Sequence, residues 1–330
     1  MLIVRPVVLI GVCALGGVGT AGAAASRVIG TGTPGSCTSA AVVAAAARGG
    51  NVTFNCGPAP VTIRMRQTAK VRNTNPSLVL DGGGLVTLSG EGKRRILYQN
   101  TCDQAQTWTT SHCDNQATPR LVVKNLTLSG GNSTGQTTDG GGGGAIFVRG
   151  GQLTILNSRF AGNRCDRSGP DLGGAAVRVL NQYRNLPVRV AASTFSGGRC
   201  ANGGALSSIG VSWTITGSTF RDNRATGRGA NPARSGTPGG GNGGAICLDG
   251  NHYVLTLRDS ILEDNVAPEG GGAIFFVSND RTGTATIAAS TLRRNRSLGF
   301  ETPGLPGIFF LGARPPQIIQ GTTLNRSGRR

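Results

Sequence analysis

The chain has 330 residues, 55 of them glycine, with 8 cysteines, 3 tyrosines and 2 tryptophans. Its 33 basic and 15 acidic residues give a formal charge of +18, a balance that favours polyanionic partners over cationic ones. Short β-branched and apolar runs punctuated by glycine exclude a helical bundle, and after residue 25 no segment approaches the roughly 18 apolar residues of a membrane span.

The first predicted element is residues 1–25: Arg5, an apolar run over 7–18, then Ala21-Gly22-Ala23-Ala24-Ala25, the plan of a secretory signal peptide. Cleavage is expected near residues 24–27. A lipoprotein leader needs a small residue before its cysteine, and Val12 precedes Cys13. The mature product is expected to be secreted or held at the cell surface or envelope. Cysteine usage agrees with export, because oxidising compartments let close pairs join. Cys37 with Cys56, Cys102 with Cys113, and Cys165 with Cys200 are candidate pairs, with connectivity left open by sequence. Cys247 is left over in Ile246-Cys247-Leu248 and reads as a small buried hydrophobe. No Cys-x-x-Cys occurs and the histidines are His112 and His252, so no metal centre is expected.

Residues 26–60 read as a cap and first strand, and 61–330 as the repetitive body. Gly30-x-Gly32-x-x-Gly35 matches a dinucleotide fingerprint as a string. Cleavage near residue 25 leaves hardly any preceding strand, and the first acidic residue, Asp81, lies far beyond the ribose-binding position. An alanine-rich helix over 39–47 and a strand over 51–55 suit a lid over an open solenoid end. Residues 78–88 predict two strands around the corner Asp81-Gly82-Gly83-Gly84, followed by strands at 96–98 and 121–128. Residues 101–119, with Trp108 and His112, form an insert expected to project as a loop. The polar, glycine-rich loops 129–142 and 226–242 are where a rigid scaffold tends to build binding sites.

The body is organised by repeats. Gly-Gly-Ala occurs five times, with alanine at Ala145, Ala175, Ala205, Ala245 and Ala273, and each copy opens an apolar run. It alternates with Ser-x-Phe/Leu-x-x-Asn/Gly units that begin at Ser158, Ser193, Ser218, Ser260 and Ser290. Such periods mean a solenoid. Without helical periodicity, and with Gly and Asn at the corners, the solenoid is predicted to be a parallel β-helix. Phe160, Phe195, Phe220, Leu262 and Leu292 should point inward and stack. Asn163, Asn223, Asn265 and Asn295 should form a side-chain ladder, interrupted by Gly198. The run beginning at Ile308 parallels that at Ile274 and predicts one further, irregular coil.

On these motifs the chain resembles the polymorphic outer-membrane protein repeat, within the pectate-lyase-like right-handed parallel β-helix class. The resemblance covers about residues 125–295. It implies an all-β, right-handed parallel β-helix displayed at a surface, often as an adhesin. Asp81, in its Asp-Gly-Gly-Gly segment, is similar to a corner residue of that class. No barrel-like pattern follows the repeats, so the membrane anchoring typical of the family is not carried over.

The expected function is recognition or adhesion through an anionic polysaccharide, since arginine forks onto carboxylates and sulfates. Nucleic acid is a weaker candidate, because no binding motif or regular aromatic interleaving accompanies the charge. The rival is a polysaccharide lyase or glycoside hydrolase. A lyase needs carboxylates converging on calcium plus a base, commonly arginine; a hydrolase needs two carboxylates across the glycosidic bond. The candidates are Asp249 and Asp280, after equivalent strands of adjacent coils, with Arg281 beside Asp280. Calcium is implied under the lyase reading alone. Turn capping accounts for the same residues, while Glu263 and Asp264 adjoin the asparagine row and read as a solvated turn. A purely structural envelope role is the third reading.

Overall fold

In each repeated coil one glycine turns the chain through the left-handed region, at φ +64° in Gly143, +71° in Gly174, +54° in Gly203, +67° in Gly243 and +66° in Gly271. A Cβ on Gly174 would lie 2.1 Å from the Val177 carbonyl oxygen, so a side chain is blocked as well as strained. The strand that follows joins an eight-stranded parallel sheet, sheet B, with Ile146–Arg149, Val177–Leu180, Leu206–Ile209, Ile246–Gly250 and Ile274–Ser278 in successive coils. The chain next lays two short strands into a 17-stranded sheet A, turns again, and in four coils adds a two-residue strand to sheet C. The result is an all-β parallel β-helix. A computed structural model describes residues 25–106, 110–136 and 141–325 of it. The expected leader up to residue 24, and Trp108, lie outside the described residues.

One repeat differs from its sequence reading. Val177 pairs with Ile146, which places Ala176, not Ala175, opposite Ala145. The continuous column is Ala145, Ala176, Ala205, Ala245 and Ala273, each amide of the first four bonding the next alanine's carbonyl. Ala175 occupies the place of Gly144 and Gly204, and finds room against the Cys165–Cys200 disulfide.

The interior follows from the second motif. Phe160, Phe195 and Phe220 stack with centroids 4.6 and 4.7 Å apart and nearly parallel planes, and Leu262 and Leu292 continue the same register. At one corner Asn223 and Asn265 each donate to the next asparagine's Oδ1. Gly198 breaks the row because a Cβ there would lie 1.9 Å from the Gly204 carbonyl oxygen. At the other corner the motif serines form a second ladder. The amides of Ser158, Ser193, Ser218 and Ser260 donate to the Oγ of the next serine at 3.1–3.2 Å, and each Oγ donates to the carbonyl two residues earlier.

Helix α1 (Ser39–Arg48) starts at Thr38, whose Oγ1 accepts from Ala41 N, and buries Val42, Ala45 and Ala46 over the first coil. Residues 78–88 are one strand rather than two: they lie within Ser77–Ser89, and the register against Arg120–Ser129 shifts between Asp81 and Val86. The glycines form a bulge, because Asp81 holds it from within the sheet by accepting from Gly83 N and Asn125 Nδ2 and pairing with Lys124. Cys37–Cys56, Cys102–Cys113 and Cys165–Cys200 are paired, and Cys247 is free and buried. Among the described residues no helix is long and apolar enough to cross a membrane.

Candidate functional site

Side chains of sheet B alternate between the core and an outer column that contains Phe147, Arg178, Ser207, Cys247 and Phe275. All five are buried, because the segments preceding the glycine corners fold across this face. Arg178 is a charge set in the apolar strand Val177–Leu180 and is 3% exposed. Its Nη1 donates to Ser207 Oγ at 2.5 Å and its Nη2 to the Asp171 carbonyl at 2.6 Å, while its Nε has no partner. Burial presses its pKa below the ordinary arginine value, against the pull of acidic neighbours that include Asp171 and Asp249. Burial also pushes the Cys247 thiol far up, with the Asp249 charge adding to the effect, so it stays protonated and packs as a hydrophobe.

Asp249 is the last residue but one of its sheet B strand, at the rim of this site. Its Oδ2 accepts from Asn231 Nδ2 at 3.0 Å, and its Oδ1 from Asn279 Nδ2 at 3.2 Å and Gly250 N at 2.7 Å. The same Asn231 amide reaches Asp171 Oδ1 at 3.3 Å. One amide therefore bridges two carboxylates beside a buried guanidinium. The enclosed space is about 10 Å³, the room of a single water, so no sugar enters it in this conformation.

Asp280 has a separate setting. Gly250 pairs with Ser278, which leaves Asp280 in the turn beyond the strand. Its Oδ1 accepts from Ser278 Oγ, Thr282 N and Thr282 Oγ1 at 2.8–3.0 Å, the pattern of an aspartate closing its own turn. Arg281 has φ +59° and lines a different groove of about 490 Å³, floored by Leu305, Phe310 and Pro315, with Arg314 also on its wall. Asp249 thus joins Asp171, Asn231 and Arg178 rather than Asp280 and Arg281. Asp171 and Asn231 come from loops distant in sequence, where nothing local marks them; Arg178 was detectable as a charge inside an apolar strand.

Among the described residues, one group of three side chains has metal-ligand spacing, namely Cys102, Cys113 and Asp114, and its two sulfurs are bonded to each other. Basic groups are arranged differently. Beside α1 two adjoining concavities of about 600 and 500 Å³ share Ala47 and Arg72, and between them present Arg27, Arg48, Lys70, Arg72 and Arg94 with no acid on their walls.

No protein-family model, curated protein or solved structure matches the chain. The reading of its function rests on the residues themselves.

Proposed function

We propose that this protein is an exported β-helix that acts at or outside the cell surface by binding an anionic polysaccharide. The observation that carries this reading is how the acids are used. Asp81, Glu91, Asp114, Glu263, Asp264 and Glu269 are each ion-paired to a basic residue, and Asp103, Asp166 and Asp280 accept from nearby amides. The excess of arginine is left facing outward, including the acid-free concavities beside α1. Such a surface draws polyanions by its summed field and holds them by bidentate contacts. The Gly-Gly-Ala and Phe-x-x-Asn repeats support grouping the chain with surface-displayed β-helices of the polymorphic outer-membrane protein type.

The test is incubation of the purified chain with polyuronate, sulfated and neutral polysaccharides, with and without calcium, recording retention, ultraviolet absorbance of unsaturated product and new reducing ends. Retention on acidic polymers without cleavage is the expected result. Absence of retention overturns the proposal and leaves a structural envelope role. The second reading, a lyase or hydrolase, draws on the bridged pair Asp171 and Asp249 beside Arg178, a site that must open beyond its room for one water before a sugar reaches it. Cleavage abolished by Asp249→Asn or Asp171→Asn establishes that reading instead.

A further inference from the structure

Sheet C consists of two-residue strands, so each strand sends one side chain inward and one outward. Cys165, Cys200, Ala225 and Ala267 face in and are buried. Facing out, in register from coil to coil, are Arg164, Arg199, Arg224, Val266 and Arg296. All four arginines are exposed, and among the described residues none of their guanidiniums has an acceptor or an ion-pair partner. Three acids lie two positions away along the chain. Asp166 accepts from Gly135 N and Asp264 is held by Arg294, which leaves Asp222, exposed, as the one unengaged neighbour.

Neighbouring strands lie about 4.8 Å apart, and like charges directly opposite each other on a sheet are destabilising. This row is nevertheless held rigid from behind. The Cys165–Cys200 disulfide ties the strands that carry Arg164 and Arg199, and the Asn223, Asn265 and Asn295 ladder sits one residue before Arg224, Val266 and Arg296. An unpaired, pre-organised row of guanidiniums costs the free protein stability and gains it back when an anion of matching period lies across it.

We infer that this arginine column is a track for an extended acidic polysaccharide running along the rod axis, with successive arginines forking onto its carboxylate or sulfate groups and a gap at Val266. The inference rests on the polysaccharide-binding reading above and adds the place and direction of binding. A pyranose chain advances by about one ring length per sugar, comparable to the rise between coils. Duplex DNA advances about 3.4 Å along its axis per phosphate of each strand. The sheet C strands also contain no aromatic side chain on which a base would stack.

The experiment is fluorescence anisotropy with labelled polygalacturonate and labelled dextran sulfate over a range of salt concentrations. It compares the unaltered protein with Arg199→Gln/Arg224→Gln, with Val266→Arg, and with Arg159→Gln/Arg189→Gln, which removes two exposed arginines of sheet A. The column double variant should bind about tenfold more weakly or worse, and its salt dependence should fall by about one power per arginine removed. Val266→Arg should bind more tightly, while the sheet A variant stays close to the unaltered protein. Melting curves serve as the folding check, and the column double variant should melt no lower than the parent. Equal losses in the two double variants, or no gain with Val266→Arg, overturn the track while leaving polysaccharide binding intact. Failure of the unaltered protein to bind either polymer overturns both. Tighter binding to duplex DNA of equal charge overturns the polysaccharide assignment.

Discussion

Asn223 and Asn265 are 42 residues apart in the chain, yet both the backbone N and the Nδ2 of Asn223 donate to Asn265 Oδ1, each at 3.0 Å. Asn265 repeats the pair with Asn295 at 3.2 and 2.8 Å, and its Nδ2 also donates to the Phe220 carbonyl. These groups are buried, so water does not replace a missing partner. Asn265→Ala should therefore destabilise the protein by about 3 kcal/mol, read as a lower urea midpoint. A loss under about 1 kcal/mol would mean that the ladder does not hold the corner.

The aromatic column gives a prediction in two steps. Phe220 is fully buried and stacked on Phe195, so Phe220→Ala should cost about 3–5 kcal/mol. Phe220→Leu should cost less than about 1.5 kcal/mol, because Leu262 already fills the next position of the column. Equal losses in the two variants would show that ring stacking, rather than filled volume, is what the coil requires.

The Cys165–Cys200 link closes a loop of sequence separation 35 and lies directly behind two exposed arginines. Replacing both cysteines by alanine should cost about 3–4 kcal/mol from loop entropy. The loss should be larger at low salt than at high salt, since screening weakens the repulsion between Arg164 and Arg199. A salt-independent loss in thermal melts would show that the two guanidiniums splay apart.

Acid should release the long loop before it unfolds the rod. Glu269 takes a bidentate pair from Arg234, at 2.9 and 3.0 Å, and accepts from Gly229 N, which fastens residues 229–234 to the next coil. Burial pushes its carboxyl up, and these bonds outweigh burial and hold it below the usual glutamate value. A folded pKa below the unfolded one means the contribution is complete above the unfolded value of about 4.3 and is lost as pH falls through the folded value. Hydrogen exchange at Ala230 and Gly240 should thus accelerate below about pH 4, and Glu269→Gln should show the fast exchange at neutral pH. Unchanged protection in that variant would place the loop's anchor elsewhere.

The repeats made the coil legible because each motif residue has one job that few residue types perform. Phe160, Phe195 and Phe220 stack, and Asn223, Asn265 and Asn295 bond, where the motif places them. The slip to Ala176 was not legible, since Gly-Gly-Ala-Ala reads equally well in two registers and pairing alone decides between them. The serine ladder was written in the same motif as the asparagine one, but a serine before a strand has many local uses and its partner lies a whole coil away. The site was the least legible part. Asp249 was singled out, while Asp171 and Asn231 reach it from loops whose course depends on what covers sheet B. The column of sheet C was present as an arginine after the asparagine or glycine of the motif, at Arg164, Arg199, Arg224 and Arg296, and becomes a column only when the coils are stacked.

The two ladders also bear on how such a rod changes over generations. Ser193 and Ser218 are 25 residues apart and Ser218 and Ser260 are 42 apart, yet both pairs make the same bond. The extra residues of the longer coil leave the rod after sheet C and return before the glycine corner, as in residues 226–242. Insertions and deletions are absorbed at that station and at the turn from sheet B to sheet A, where residues 101–106 and 110–119 also leave the rod, while the stretch from sheet A to sheet C keeps its length from coil to coil. A lineage built on this plan can trial new surface segments there without renegotiating its scaffold, and a foreign peptide grafted between Arg234 and Gly239 would be carried in the same way.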